Sequence, residues 1–395
     1  MSRPRFPDDA RPVRRGLTLF RIAGTEVRID VSWAILFALV LVSLGAGFLP
    51  SMHPGASTPA VWAAAVVATV GFFASIVAHE LAHTLVAKRA GIEVPSITLF
   101  LFGGVSQIAD EPRDARTELR VAVVGPLASF ALAAAFASLH AAMAGLATPL
   151  AAGVTLYLAW INTALGVFNL LPGLPLDGGR ILRALAWWRT GSLRRSTRVA
   201  SSAGKGIAVG LMVLGGLEIF SGALVGGLWL ILIGLFLRGT AEAGYQNLVL
   251  VQSLADVSVG DVAIADPVGV APQLSLDDLA EHYFLRHGYR AYPVLDGETP
   301  VGIVAVTALR DLDREERAAM TVKDRMTPID DALCIGPQAP LTDALKQLAR
   351  TRSGRLLVVH DDRLVGLLTK DAVARFLEIR RVLEPARGED AGARA

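Results

Sequence analysis

His79-Glu80-Leu81-Ala82-His83 closes an apolar run in which Val61 to Ala78 holds no charged residue. On a helix, residues four apart share a face, so the two imidazoles project together. Two neutral imidazoles at that spacing can grip one zinc ion, with the glutamate between them in reach of a water on that ion. The run before them is apolar enough to lie in a membrane, and ionisable groups at such depth are costly and mark functional sites.

The whole chain agrees with a membrane setting. Of its 395 residues 53% are hydrophobic and the mean hydropathy is +0.48, the composition of a polytopic α-helical membrane protein. The net charge of +2 implies no nucleic-acid partner, and the single cysteine, Cys334, excludes an intrachain disulfide. The basic, polar N-terminus does not read as a signal peptide.

Outward from the motif, the chain reads as six transmembrane helices. Residues 1–30 form an arm with Arg3, Arg5, Arg11, Arg14 and Arg15, then a short surface hairpin turning at Ala23-Gly24. Spans are expected at Val31 to Met52, 61–89, Val121 to Leu139, from about 152, 203–220 and 222–237. Between the second and third, Ile92 to Ile108 is rich in β-branched and aromatic residues around Gly103-Gly104, which predicts a re-entrant β hairpin. Asn169-Leu170-Leu171-Pro172-Gly173-Leu174-Pro175-Leu176-Asp177 must break the fourth helix, and broken backbone at membrane depth marks a cavity. Arg180, Arg183, Arg189, Arg194, Arg195 and Arg198 predict a cytoplasmic loop, and residues 239–252 a short connection. Every arginine cluster falls on one side, placing both termini in the cytoplasm.

From about 250 a soluble α/β module appears twice, 250–317 and 318–383, each copy ordered β-α-β-β-α, before a disordered tail at 384–395.

A catalytic zinc takes three protein ligands and leaves one position for water. His79 and His83 supply two, and Asp177, at the broken inner end of the fourth helix, is the strongest candidate for the third. Its other reading is a carboxylate that caps a helix or pairs with Arg180. His53 and His140 lie at the opposite face, and His282, His287 and His360 lie in the module. Glu80 then serves as general base, and Asn169 is placed to offer its amide to an oxyanion.

His79-Glu80-x-x-His83 ending a membrane helix, Asn169-x-x-Pro172 and Leu176-Asp177-Gly178 resemble the site-2 protease family of intramembrane zinc metalloproteases. The resemblance covers about 15–240, giving a membrane domain at 31–240 without a PDZ-like insert. It implies one Zn2+ per chain on His79, His83 and Asp177, Glu80 as catalytic glutamate, and Asn169 as the motif asparagine. It further implies a substrate strand at Gly103 and Gly104, and cleavage of a single-span regulator such as an anti-sigma factor in the prokaryotic plasma membrane. The repeat resembles a pair of CBS domains, implying regulation, homodimerisation or an adenine nucleotide. Gly366-Leu367-Leu368-Thr369-Lys370-Asp371 keeps Thr369 and an offset Asp371 of the nucleotide motif, whereas the first copy has Ala305 and Ala308 there. The competing class is a CBS-regulated channel or transporter, which has no need of the histidine motif.

Overall fold

The structure is a computed structural model that describes residues 17–101, 103–107, 112, 114–144, 149–330, 333–351 and 354–383. The basic arm at 1–15 and the tail from 384 lie outside the described residues. The chain divides into two compact units, with the boundary along the sequence between Val249 and Leu250.

In the first unit, Trp33–Met52 (α1), Thr58–Arg89 (α2), Ala115–Ala144 (α3), Pro149–Asn169 (α4), Leu193–Phe220 (α6) and Leu224–Ser253 (α7) are each long and apolar enough to span a bilayer. Together they make this a multi-pass membrane protein. A further helix, α5 (Asp177–Thr190), lies between the fourth and fifth spans. The start of α2 carries a proline in its first turn, where no amide partner is lost, and its end carries Lys88 and Arg89 against the negative pole of the helix dipole. Gly91, with φ +78°, then turns the chain. Inside the bundle, buried Asn162 of α4 donates through Nδ2 to Ser75 Oγ of α2 at 3.0 Å, which ties the two helices together.

Two expected hairpins are present and form one sheet. Leu17–Ile22 (β1) and Thr25–Ile29 (β2) pair antiparallel around Ala23 and Gly24, both in the left-handed region. Ser96–Phe100 (β3) and Gly103–Gln107 (β4) pair likewise, with Phe100 opposite Gly103. The two hairpins join through parallel β2–β3 pairing, Glu26 to Ile29 against Ser96 to Leu99, giving the order β1-β2-β3-β4. The Thr25 hydroxyl donates to Val94 O at 2.8 Å and the Lys88 ammonium to Ala23 O at 2.6 Å, fastening the joint.

Two stretches differ from expectation. Residues 180–198, predicted as a loop, are the body of α5 and the first turns of α6, reversed at Gly191 with φ +66°. Arginine is a good helix former, so a run of arginines spaced by apolar residues is compatible with an amphipathic helix. Residues 239–252, predicted as a connection, are helical within α7.

The second unit is built from two copies that exchange strands. Ile264–Ala265 (β5) of the first copy adds to the sheet of the second, beside Arg363–Thr369 (β11), Arg355–His360 (β10) and Cys334–Ile335 (β9). Reciprocally, Thr327–Pro328 (β8) of the second copy adds to Ala291–Asp296 (β6) and Thr299–Ala305 (β7) of the first. Ala291, Ile303, Leu357 and Leu367 bury one core between the two sheets.

Candidate metal centre

His79 and His83 stand one turn apart on α2, both buried, and the first residue of α5, Asp177, is buried against them. Asp177 Oδ2 lies 3.1 Å from His79 Nε2 and 3.1 Å from His83 Nε2, and the two Nε2 atoms are 3.2 Å apart. The outer nitrogens are held by α3. His83 Nδ1 is 2.6 Å from Val121 O and His79 Nδ1 is 2.8 Å from Ser129 Oγ. A carbonyl only accepts, so His83 Nδ1 carries its proton and Nε2 turns its lone pair inward.

His83 Nε2, His79 Nε2 and Asp177 Oδ2 converge on one point, a close approach of ligand atoms that a cation or a shared proton among them stabilises. Tetrahedral bonds of about 2.0–2.1 Å to zinc place neighbouring ligand atoms about 3.3 Å apart. The observed near-equilateral triangle of 3.1–3.2 Å fits that ion. His79, His83 and Asp177 form the potential metal cluster among the described residues.

The approach of α3 depends on a residue that the sequence reading did not single out as functional. A Cβ on Gly125 would fall 2.8 Å from His79 Nε2 and closer still to His83 Nε2. Only glycine lets α3 lie against both imidazoles there. Also missed was the buried pair between Glu118 of α3 and Arg183 of α5, with Arg183 Nε 2.6 Å from Glu118 Oε1. It ties the helix carrying Asp177 to the helix that orients both histidines.

Glu80 is half-buried, and β4 packs on it: a Cβ on Gly104 would meet Glu80 Cγ at 2.8 Å and Ile76 Cγ2 at 3.2 Å. Gly103 precedes it with φ +124°, a conformation that favours glycine. Asn169 is the last residue of α4, and its Nδ2 donates to Leu165 O at 3.0 Å, one turn back. From there the broken segment reaches Asp177 while held to α6 through Leu174 N and Ala200 O at 3.1 Å. His140 bonds Ala152 O at 2.8 Å, away from the triad.

In the second unit Thr369 and Asp371 border a cavity of about 510 Å³ that draws Asp266, Tyr289 and Arg290 from the first copy and Arg355 from the second. Burial lowers the pKa of the Arg355 guanidinium, and the Asp371 carboxylate opposes that shift. The Thr369 hydroxyl accepts from Ala372 N at 3.0 Å, capping the helix Lys370–Leu383.

Residues 67–156 and 141–213 match the model of peptidase family M50, and 259–315 and 322–379 match that of the CBS domain. A Mycobacterium tuberculosis protein named as the zinc metalloprotease Rip3 is 37% identical over 94% of this chain and 95% of its own. The chain belongs to peptidase family M50. A zinc metalloprotease of Methanocaldococcus jannaschii is 29% identical over 93% of this chain and 98% of its own. The solved site-2 protease from that organism is 31% identical, covering 58% of this chain and 94% of its own at a TM-score of 0.41. The family match and the curated relatives make this M50 protein a zinc metalloendopeptidase with a CBS pair, and they do not favour the channel or transporter alternative.

Proposed function

We propose that this chain hydrolyses a peptide bond in or near a transmembrane segment of a membrane-tethered regulatory protein, such as an anti-sigma factor. The observation that carries the reading is the 3.1–3.2 Å triangle of His79, His83 and Asp177. These three side chains hold one zinc ion per chain. When bound, zinc polarises the scissile carbonyl and brings the pKa of water to about 7. Glu80 takes the proton of the attacking water and delivers it to the leaving amine nitrogen. Asn169, turned from Leu165 O, donates its amide to the carbonyl oxygen as charge develops there.

β4 is the edge of its sheet, bonded to β3 alone among the described strands, and its Gly103-Gly104 backbone lies on Glu80. An unwound substrate segment adds to that edge as a strand and passes the general base, with the hairpin re-entering the membrane beside the site. The CBS pair regulates or dimerises the enzyme, with one adenine-nucleotide site at Thr369 and Asp371. In the reading proposed here, both termini and the CBS pair are cytoplasmic and the bilayer is a prokaryotic plasma membrane.

The test is zinc content and cleavage measured on the same preparations with a single-span model substrate. His79→Ala, His83→Ala and Asp177→Ala lose zinc and cleavage together, whereas Glu80→Gln keeps zinc and loses cleavage. Full zinc and full activity in Asp177→Ala would remove the third ligand and with it this mechanism. Uncleaved membrane proteins that copurify with Glu80→Gln identify the substrate.

A further inference from the structure

From Gly178 to Leu217 the chain carries six arginines and Lys205 and no carboxylate. Among the described residues Arg183 pairs with Glu118 and Lys205 with Glu242 at 2.8 Å, and Arg198 donates to the Tyr245 hydroxyl at 3.2 Å. The first turn of α5 is docked, with Asp177, Gly178 and Gly179 buried, but its last turns are not. There Leu185, Trp188 and Arg189 project at i, i+3 and i+4 on one exposed face, Trp188 at 69% exposure. The reversal at Gly191 and Ser192 then brings exposed Arg194 and Arg195, in the first turn of α6, near Arg189. Among the described residues no ion pair holds Arg189, Arg194 or Arg195, and the neutral side-chain partner facing them is the Tyr245 hydroxyl beside Arg194.

α5 does not qualify as a span, yet it joins two helices that do, so the α5–α6 turn comes where the chain meets the bilayer surface. Guanidinium groups pair with phosphate through planar, two-point hydrogen bonds, and an indole settles at headgroup depth with its ring toward the acyl chains. A cluster of three cations that no carboxylate among the described residues pairs with, rimmed by exposed indole and leucine, is complementary to acidic lipid and not to zwitterionic lipid alone.

We propose that the α5–α6 turn is a binding surface for anionic phospholipid headgroups, gripped by Arg189, Arg194 and Arg195 with Trp188 seated at the acyl boundary. The same helix presents Asp177 from its opposite end, so acidic lipid anchors the exposed end of the helix that carries a metal-ligating side chain.

Native mass spectrometry of the full-length chain, exchanged from detergent into mixed phosphatidylglycerol and phosphatidylcholine, reads which lipid stays bound. Phosphatidylglycerol is retained in preference. The triple variant Arg189→Gln, Arg194→Gln, Arg195→Gln loses at least about fivefold of that preference, the ratio equivalent to about 1 kcal/mol for a single basic side chain at an anionic surface. The matching triple lysine variant keeps it. Independently of any arginine substitution, brominated phosphatidylglycerol quenches wild-type tryptophan fluorescence more than brominated phosphatidylcholine, and Trp188→Phe abolishes the difference. Zinc content reports that each variant is folded. Equal retention of the two lipids by the wild type, undiminished preference in the glutamine variant, equal quenching, or displacement of the lipid by millimolar inorganic phosphate would each overturn the proposal.

Discussion

Gly125 decides whether the two histidines can meet an ion at all. Its α-carbon faces both Nε2 atoms, and a methyl group there would overlap the lone pairs that point inward. Gly125→Ala is therefore expected to lower zinc affinity at least about tenfold, the scale reached when groups that orient a ligand are disturbed, although every ligand is intact. Zinc titration against a competing chelator checks this, and wild-type affinity would show that α3 can retreat without cost. The histidines and Glu80 were legible in the sequence because their geometry is local, fixed by one helical turn. Asp177 was legible from its place after a broken apolar run. Gly125 was not, since its demand arises only when α3 is laid across α2, a contact no local pattern encodes.

Among the elements, the Glu118–Arg183 pair connects α3, which holds the outer nitrogens of both histidines, to α5, which starts with Asp177. Glu118 is fully buried, and its second oxygen has no hydrogen-bond partner. Removing Arg183 strands that carboxylate, a change that costs about 3–5 kcal/mol where a buried pair is broken. Arg183→Met should thus lower the thermal midpoint and weaken zinc binding, while Glu118→Met in the same chain restores most of the stability. Unfolding scans and metal titration of the single and double variants measure this, and an additive double variant would mean the two residues do not act as a pair.

In the CBS unit each copy opens on a short capping turn. Asp261 Oδ2 accepts from Ser258 N and Oγ at 2.9 and 2.7 Å, and Asp324 Oδ2 from Thr321 N and Oγ1 at 2.8 and 2.7 Å. These bonds hold both carboxyl pKa values below the ordinary aspartate range. A group with a lowered folded pKa stabilises the fold above its unfolded pKa, about 3.9, and that contribution is lost as pH falls through the folded value. Asp261→Asn with Asp324→Asn should make the CBS unit less stable at pH 6 and flatten its loss of stability below about pH 4, read by hydrogen exchange at pH 6 and 3.5. The hairpins at this scale were legible from alternation and glycine turns. Their union into one sheet was not, because β2 meets β3 only after two intervening membrane helices. The arginine-bearing α5 reads as a loop by its charge, whereas its apolar residues at helical spacing are what the fold uses.

At the scale of the molecule, each residue of the candidate site belongs to the unit that ends at Val249. His79, Glu80 and His83 come from α2, Val121, Gly125 and Ser129 from α3, Asn169 from α4, and Asp177 from the start of α5. The CBS repeat was legible from its period of roughly 60 residues, but the exchange of β5 and β8 between copies was not, since each is a two-residue strand defined only by its partner. That exchange makes the pair one cooperative body that should be lost or kept as a whole. A ligand shifts such a body only by its differential affinity for two states. One copy offers Thr369 and Asp371 beside Arg355, while Ala305 and Ala308 replace the corresponding polar groups of the other. A chain ending at Val249 should accordingly keep its zinc and its basal cleavage of a single-span substrate while losing any response to nucleotide. The full chain should bind ATP, ADP or AMP at no more than one site per chain. Calorimetry with the three nucleotides and cleavage by the shortened chain decide both halves. Two tight sites would show that the alanines of the first copy do not prevent binding, and a metal-loaded but inert shortened chain would make the CBS pair part of the catalytic machinery.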